Sequence, residues 1–401
     1  MTKNFLSGIG VGSFAHVDRS FLGPATNGPN LYLALEIGEL CNLSCRHCIY
    51  HKSLQGPHPD RHIIEYVASL LAQGKVSPMW LSLAGKEPTL FPEEMVRVLQ
   101  AARMGTQART ILMTNALMLN NNDLRRRLRG LVDLIDVSID GDEEYHEWMR
   151  GKGTFAKTFA TVQKLEAEGF FVSIIATAVN ASGQTQSIVN LAKRLNREKI
   201  KAPLSISLYY GPPGDPLRLK AETISNLVSK LAKVPHESRV LYTAQYACEF
   251  AEVRDRLNIN GSPIIEDRET AIPVLRLGDH LRILLFQETK VPQYGIRVSN
   301  DGLVYLGCNH LTLGKAASKF AVGKYTELEA ICRELQNDDI QSPKLRSYLE
   351  TELPLGCSTC SALSICRGGD RQSGIYHTGK AVDPYCGLLN PTRNYASSLR
   401  I

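Results

Sequence analysis

Leu31-Tyr-Leu-Ala-Leu-Glu-Ile-Gly-Glu-Leu-Cys41-Asn-Leu-Ser-Cys45-Arg-His-Cys48 joins a β-rich run, Leu31–Ile37, to a loop that carries three cysteines within eight residues. Three thiols that close together can wrap one metal centre and leave a position open. A closed structural zinc site takes four ligands, whereas an iron–sulfur cube on three cysteines keeps one iron for a non-protein ligand. The competing reading is three packed or zinc-binding cysteines.

Working outward, β-rich runs alternate with amphipathic stretches from about residue 31 to residue 210. The predicted strands are Leu31–Ile37, Met79–Ala84, Arg109–Thr114, Leu131–Ile139, Phe171–Asn180 and Leu204–Tyr209. Between them, Phe155–Gly169 and Gln184–Leu195 carry apolar residues at helical spacing. This is the pattern of six βα units in a parallel sheet, either an open doubly wound sheet or an incomplete barrel. Both put the active site at the carboxyl ends of the strands. There the cysteine loop, Gly85-Lys86-Glu87, Thr114-Asn115 and Ser138-Ile139-Asp140-Gly141 collect on one rim.

Past Gly211-Pro212-Pro213-Gly214 the alternation lapses into a stretch expected to be helical and polar to about residue 280. Asn300-Asp301-Gly302 then predicts a hairpin within Tyr294–Tyr305. From about residue 345 the chain is loop-rich and holds Cys357, Cys360, Cys366 and Cys386, four thiols suited to zinc or to an iron–sulfur cluster. Gly8-Ile-Gly-Val-Gly12 follows no strand and reads as a flexible loop, not a phosphate loop.

Of the 401 residues, 43% are hydrophobic and 21% charged, enough apolar side chain for a large core. A net charge of +6 over that length is too dilute to argue for nucleic acid or membrane headgroups. No apolar run reaches bilayer-spanning length and the first thirty residues lack a signal-peptide pattern, so the expected location is cytoplasmic. With ten cysteines in that setting, ligand or redox roles are expected ahead of disulfides.

The C-x3-C-x2-C spacing of Cys41, Cys45 and Cys48 after the first strand of a βα series resembles the radical S-adenosylmethionine (SAM) superfamily. That resemblance implies a partial (β/α)6 TIM barrel over residues 31–235. It also implies a [4Fe–4S] cluster on the three cysteines, with SAM chelated to the free iron and cleaved to a 5′-deoxyadenosyl radical. His47 then falls where the family stacks an aromatic residue on the adenine. Gly85-Lys86-Glu87-Pro88 is similar to the family's Gly-Gly-Glu-Pro, which meets the SAM amino group, with Lys86 as a departure. Ser138 aligns with a ribose or methionyl contact, Arg150 with a clamp on the SAM carboxylate, and Leu208 with an adenine-packing position. Asn115, Asp140 and Asn180 read equally as strand-end caps or as ligand contacts.

The second cysteine group resembles the SPASM extension, expected here as residues 291–401 after a helical connector at 236–290 and an N-terminal extension at 1–30. Its pattern C-x2-C-x5-C-x3-C followed by a distant C is met by Cys357, Cys360, Cys366 and Cys386, but Asp370 stands where the family has a further cysteine. Gly302 and Cys308 match the family's hairpin with one extra residue between them, and no cysteine precedes Gly302 in Leu281–Asp301. One auxiliary [4Fe–4S] cluster is therefore expected beside the SAM-binding one. In sulfatase-oxidising relatives an Asp base follows the hairpin cysteine. Here that position is Asn309, which cannot take a proton, and His310 is its weak substitute.

These resemblances imply an enzyme that modifies a ribosomally made peptide by hydrogen abstraction leading to cross-linking, epimerisation or backbone rearrangement. An external flavodoxin- or ferredoxin-like electron donor is implied, and so is a separate leader-binding partner, since thirty residues before the first strand leave no room for such a domain. Cys308 is the first choice as hydrogen donor among the unassigned Cys248, Cys308 and Cys332. The alternatives are a radical SAM dehydrogenase or epimerase of a small molecule such as an aminocyclitol, and a zinc-binding structural or adaptor protein.

Overall fold

A computed structural model describes residues 31–48, 56–209, 215–217, 219, 221–234, 240–244, 257, 264–265, 273–277, 281–285, 295–306, 321–337 and 339–349. Its centre is six βα units. Strands β1 (Tyr32–Glu36), β2 (Trp80–Ala84), β3 (Arg109–Thr114), β4 (Leu134–Ser138), β5 (Val172–Ala178) and β6 (Leu204–Leu208) run parallel in that order. After them come α1 (Arg61–Ala72), α2 (Pro92–Gly105), α3 (Asn122–Leu128), the pair α4 (Glu143–Arg150) and α5 (Thr154–Ala167), α6 (Gln184–Arg197) and α7 (Ala221–Leu231). Each crossover lets strand and helix bury their apolar faces together. Leu33, Leu81, Leu112, Ile135, Ile174 and Leu204 meet the helices in one continuous core.

Two helices illustrate how sequence sets these boundaries. Asp60 caps α1 by accepting from the His62 N–H at 2.8 Å, and Asn121 accepts from Asp123 and Leu124 at the start of α3, each satisfying an N–H that the first turn leaves without a partner. The predicted strands are trimmed at their ends. Leu131 and Phe171 precede β4 and β5 in the incoming loops, because sheet pairing starts only at Ile111–Leu134 and Ile135–Val172.

The sheet continues past both edges of the six units. The expected hairpin forms, with β11 (Gly295–Val298) and β12 (Leu303–Leu306) antiparallel about a turn in which Gly302 has φ +78°. Strand β11 adds in parallel to β1, and the short β13 (Gly323–Lys324) closes that edge. On the other side β7 (Val240–Ala244) pairs with β6 and β10 (Leu281–Leu285), and β9 (Pro273–Leu277) and β8 (Ile264–Ile265) follow. Where a helical connector is expected over 236–290, the described residues include four strands. Apolar runs of five residues suit helix or strand equally, and here an open sheet edge selects strand.

Helices α8 (Leu328–Asn337) and α9 (Pro343–Leu349) end the described chain. No helix among the described residues is long and apolar enough to cross a membrane. Cys308, His310, Cys357, Cys360, Cys366 and Cys386 lie outside the described residues.

Candidate functional site

The cysteine loop leaves β1 at Gly38 and is tied down on both sides. The Arg46 N–H donates to Met149 O at 2.9 Å and its Nε to Trp148 O at 2.7 Å, while the guanidinium lies 4.7 Å from the Trp148 ring centre. The loop is thereby fixed to α4. On the other side the Glu87 N–H donates to Leu40 O at 3.1 Å. The Cys48 N–H donates to Cys45 O at 3.1 Å, turning the chain so that the thiols stay together.

Burial dominates the thiols, pushing Cys41 up to about 12 and Cys45 up to about 11. Cys45 and Cys48 raise Cys41 further, and Arg150 opposes the rise at Cys45. The loop therefore brings three sulfurs into mutual electrostatic range in a site that disfavours bare thiolates, and a bound cationic centre would reverse that balance. N–H groups face two of the sulfurs: Leu43 N is 3.4 Å from Cys41 Sγ, Asn115 Nδ2 is 4.0 Å from Cys41 Sγ, and Arg150 Nη1 is 4.0 Å from Cys45 Sγ. Such donors are what a thiolate-held cluster uses to tune its potential. Among the described residues no three His, Cys, Asp or Glu side chains are set to hold a single metal ion. Three thiols, two of them with N–H groups directed at them, fit a cube better than a lone zinc.

Behind the loop is a buried charged network. Arg150, at the end of α4, donates from Nε and Nη2 to the Asp140 carboxylate at 2.6 and 3.1 Å, and Asp140 also accepts from the Thr177 N–H at 3.1 Å. His47 Nε2 is 3.5 Å from Asp140 Oδ2 and 3.5 Å from Arg150 Nη2. Burial alone would raise the Asp140 carboxyl, but Arg150 and His47 together hold it well below the usual range. His146 Nδ1 accepts from the Asp140 N–H at 3.3 Å, and burial with the Arg150 charge lowers that imidazole to about 4. Two edges of the Arg150 fork are thus committed to Asp140, and Nη1 faces Cys45.

Glu87, fully buried after β2, is held by donors from three places. Thr114 Oγ1 donates at 2.6 Å and the Asn115 N–H at 2.7 Å, while Thr89 donates from both its hydroxyl and its N–H. Burial raises its carboxyl and these bonds oppose the rise. Gly85 has φ +114°, and a Cβ there would lie 3.1 Å from Gly38 O, so the β2 turn packs backbone on backbone. Asn115 Nδ2 donates to Asn42 Oδ1 at 2.7 Å.

The remaining sequence candidates stand around the same rim. Ser138 ends β4, half-buried, and Leu208 ends β6. Lys86 is half-buried beside Glu87. Asn180 ties β5 to the turn after β6, its N–H and Nδ2 donating to Leu217 O and Pro216 O at 2.6 and 3.1 Å. Cys332 does not join them: it is wholly buried on the apolar face of α8. Sequence reading missed the supporting partners Thr89, Arg46 and His146, and placed Thr114 on the rim without a role. Only Thr89, two residues from Glu87, had a local signal, in its Asx-like spacing. The others meet the site through the fold.

Residues 35–195 match the radical SAM superfamily. No curated protein sequence matches the chain. Among solved structures, anSMEcpe with bound AdoMet and the Kp18Cys peptide is similar at TM-score 0.58 and 17% identity, over 86% of this chain and 90% of that one. Streptococcus suis SuiB bound to S-adenosylmethionine is similar at TM-score 0.60 and 16% identity, over 90% and 77%. SuiB bound to its precursor peptide SuiA is similar at TM-score 0.56 and 15% identity, over 88% and 74%. At those identities the likeness is one of fold.

Proposed function

Since residues 35–195 form a radical SAM domain, in an enzyme family that works with a [4Fe–4S] cluster and SAM, we propose that this chain modifies a peptide substrate by hydrogen abstraction. The observation that carries the reading is the arrangement in which Cys41, Cys45 and Cys48 share one loop, Cys45 buried and the other two half-buried, with Asn115 directed at the Cys41 sulfur and Arg150 at that of Cys45. The three cysteines would hold the cluster. When bound, cluster and SAM supply the one-electron cleavage of a sulfur–carbon bond and the radical that takes hydrogen from the substrate.

This chain's own residues orient and shield. Asp140 fixes Arg150 so that its Nη1 stays at the cysteine loop for an anionic group such as the SAM carboxylate. Glu87, immobilised by Thr89, Thr114 and Asn115, places negative charge where an ammonium group is to be bound. His47, Ser138, Asn180 and Leu208 line the positions at which adenosine contacts are carried over from the family, with Gly85, Lys86, Asn115 and Asp140 beside them.

A peptide as substrate is favoured by the likeness of fold to anSMEcpe and SuiB, whose structures include peptides. It is also favoured by the hairpin fused to β1, which ends just before Cys308. On this reading Cys308 is the hydrogen donor or a reacting thiol, with His310 the adjacent weak base. Cys357, Cys360, Cys366 and Cys386 hold one auxiliary [4Fe–4S] cluster, electrons come from a flavodoxin- or ferredoxin-like protein, and a separate partner presents the leader.

The test is formation of 5′-deoxyadenosine by reconstituted enzyme given short peptides encoded beside its gene, with aminocyclitols as the comparison. Peptide-dependent product with a mass change on the peptide is expected. Turnover of the aminocyclitol alone would replace this reading with the small-molecule one.

A further inference from the structure

The cysteine loop begins with residues 37–39, straight after β1, and its far limb returns at residues 56–58, so Cys41, Cys45 and Cys48 lie between two limbs that touch. The Glu39 N–H donates to Pro57 O at 2.9 Å. A Cβ on Gly56 would lie 2.1 Å from Glu39 O, so the two limbs approach backbone to backbone. Just before them, a Cβ on Gly38 would run into the Phe91 ring, and the His58 ring meets that same ring edge-on at 5.4 Å between centres. The base of the loop is closely packed.

One residue in the turn of the β11–β12 hairpin reaches both limbs. The Asn300 N–H donates to Glu36 Oε2 at 3.2 Å, where β1 ends, and Asn300 Nδ2 donates to His58 O at 3.3 Å. Asn300 and Glu36 are both buried, where a polar group is held by the partners it finds. The same hairpin fixes Glu36 a second time. Arg297, in register with Ala34 of β1, places Nε 3.3 Å from Glu36 Oε1, and its guanidinium lies 5.2 Å from the Tyr305 ring centre. Burial raises the Glu36 carboxyl, and Arg297 followed by the Asn300 N–H opposes the rise.

The turn holds Asn300 in place through its own bonds. The Ser299 N–H donates to Leu303 O at 3.0 Å and the Gly302 N–H to Ser299 O at 2.9 Å. A residue anchored in this way and bonded to both ends of a loop restricts every residue between them, because a loop with joined ends has fewer conformations. It need not touch the thiols to act on them.

We propose that Asn300 is a positioning residue for the cysteine loop, clamping its two limbs to the hairpin so that the three thiols keep the spacing a cluster needs. This deepens the reading above and rests on it for what the loop holds, although the clamp itself needs neither cluster nor SAM.

Hydrogen exchange read by mass spectrometry on the full-length protein, with and without reconstituted cluster, tests it. Asn300→Ala keeps the N–H to Glu36 and loses the bond to His58 O. Thr106→Ala is the control, since it loses two hydrogen bonds at the opposite end of the barrel. In Asn300→Ala, exchange over residues 37–48 should rise about fivefold, the factor that one hydrogen bond is worth. With an iron chelator present, the paramagnetic signal that depends on Cys41, Cys45 and Cys48 should decay faster by about the same factor. Thr106→Ala should move neither. An Asn300→Ala protein that matches the parent in either readout, or a Thr106→Ala protein that moves as far, would overturn the inference. If Asn300→Ala fails to fold by circular dichroism, Asn300→Ser, which suits a turn but has a shorter side chain, is measured in its place. Both changes appearing in a protein whose cluster ignores SAM would leave the clamp standing and remove the proposed function.

Discussion

Asp140→Asn removes one negative charge while keeping the shape of the side chain. Its carboxylate is fully buried and takes two bonds from a guanidinium that is itself only 10% exposed. Deleting one partner of such a pair strands the other charge, at a cost of about 3–5 kcal/mol. The Thr177 N–H keeps an acceptor in the asparagine oxygen, so that bond adds little to the change. With a urea dependence of about 3 kcal/mol per molar or more for a chain this long, the unfolding midpoint should fall by about 1 to 1.5 M. Arg150→Met strands Asp140 instead, but Asp140 can protonate. Freed from Arg150, its carboxyl rises with burial above its unfolded value, so the penalty is fully present at neutral pH and is relieved as pH falls toward that of an ordinary carboxyl group. Urea titrations of matched cluster-loaded samples at pH 7 and pH 5 should show the Arg150→Met deficit shrinking while the Asp140→Asn deficit persists. An Asp140→Asn midpoint within about 0.2 M of the parent, or identical pH behaviour in the two variants, would refute the reasoning.

His146 is held neutral, lowered to about 4 by burial, against about 6.5 when unfolded. Its contribution is therefore present above the unfolded value and lost as pH falls through the folded one, a loss of up to about 3 kcal/mol that thermal denaturation between these limits should register and His146→Gln should flatten. Glu87→Gln must turn an amide N–H toward either the Asn115 or the Thr89 N–H. It should cost about 1–3 kcal/mol, read as a lowered midpoint together with weaker SAM binding. Gly302→Ala places a Cβ 2.7 Å from the Tyr325 ring at φ +78°. Its expected cost is above about 1 kcal/mol, with faster hydrogen exchange confined to the β11–β12 hairpin.

Much of this architecture is local and could be read from the chain. The alternation of β-rich and amphipathic runs located all six units, the Asn300-Asp301-Gly302 turn located the hairpin, and the strand-end rule located the rim holding Cys41, Glu87 and Asn115, while Arg150 came only from the family resemblance. What escaped was set by neighbours distant in sequence. Whether Val240–Ala244 or Leu281–Leu285 is helix or strand depends on a sheet edge, supplied by β6 to the first and by β7 to the second. The grip of Asp140 on Arg150 depends on α4 returning to the end of β4, so in the sequence Arg150 resembled a ligand clamp and Asp140 read equally as a cap or a contact.

The most direct measurement is electron paramagnetic resonance of the anaerobically reconstituted, reduced protein with and without SAM, run beside a variant in which Cys41, Cys45 and Cys48 are alanine. A cubane signal that shifts on adding SAM, and that disappears with about four irons when the three cysteines are replaced, is the predicted result. A signal indifferent to SAM, or one that survives the replacement unchanged, would contradict the assignment of that loop.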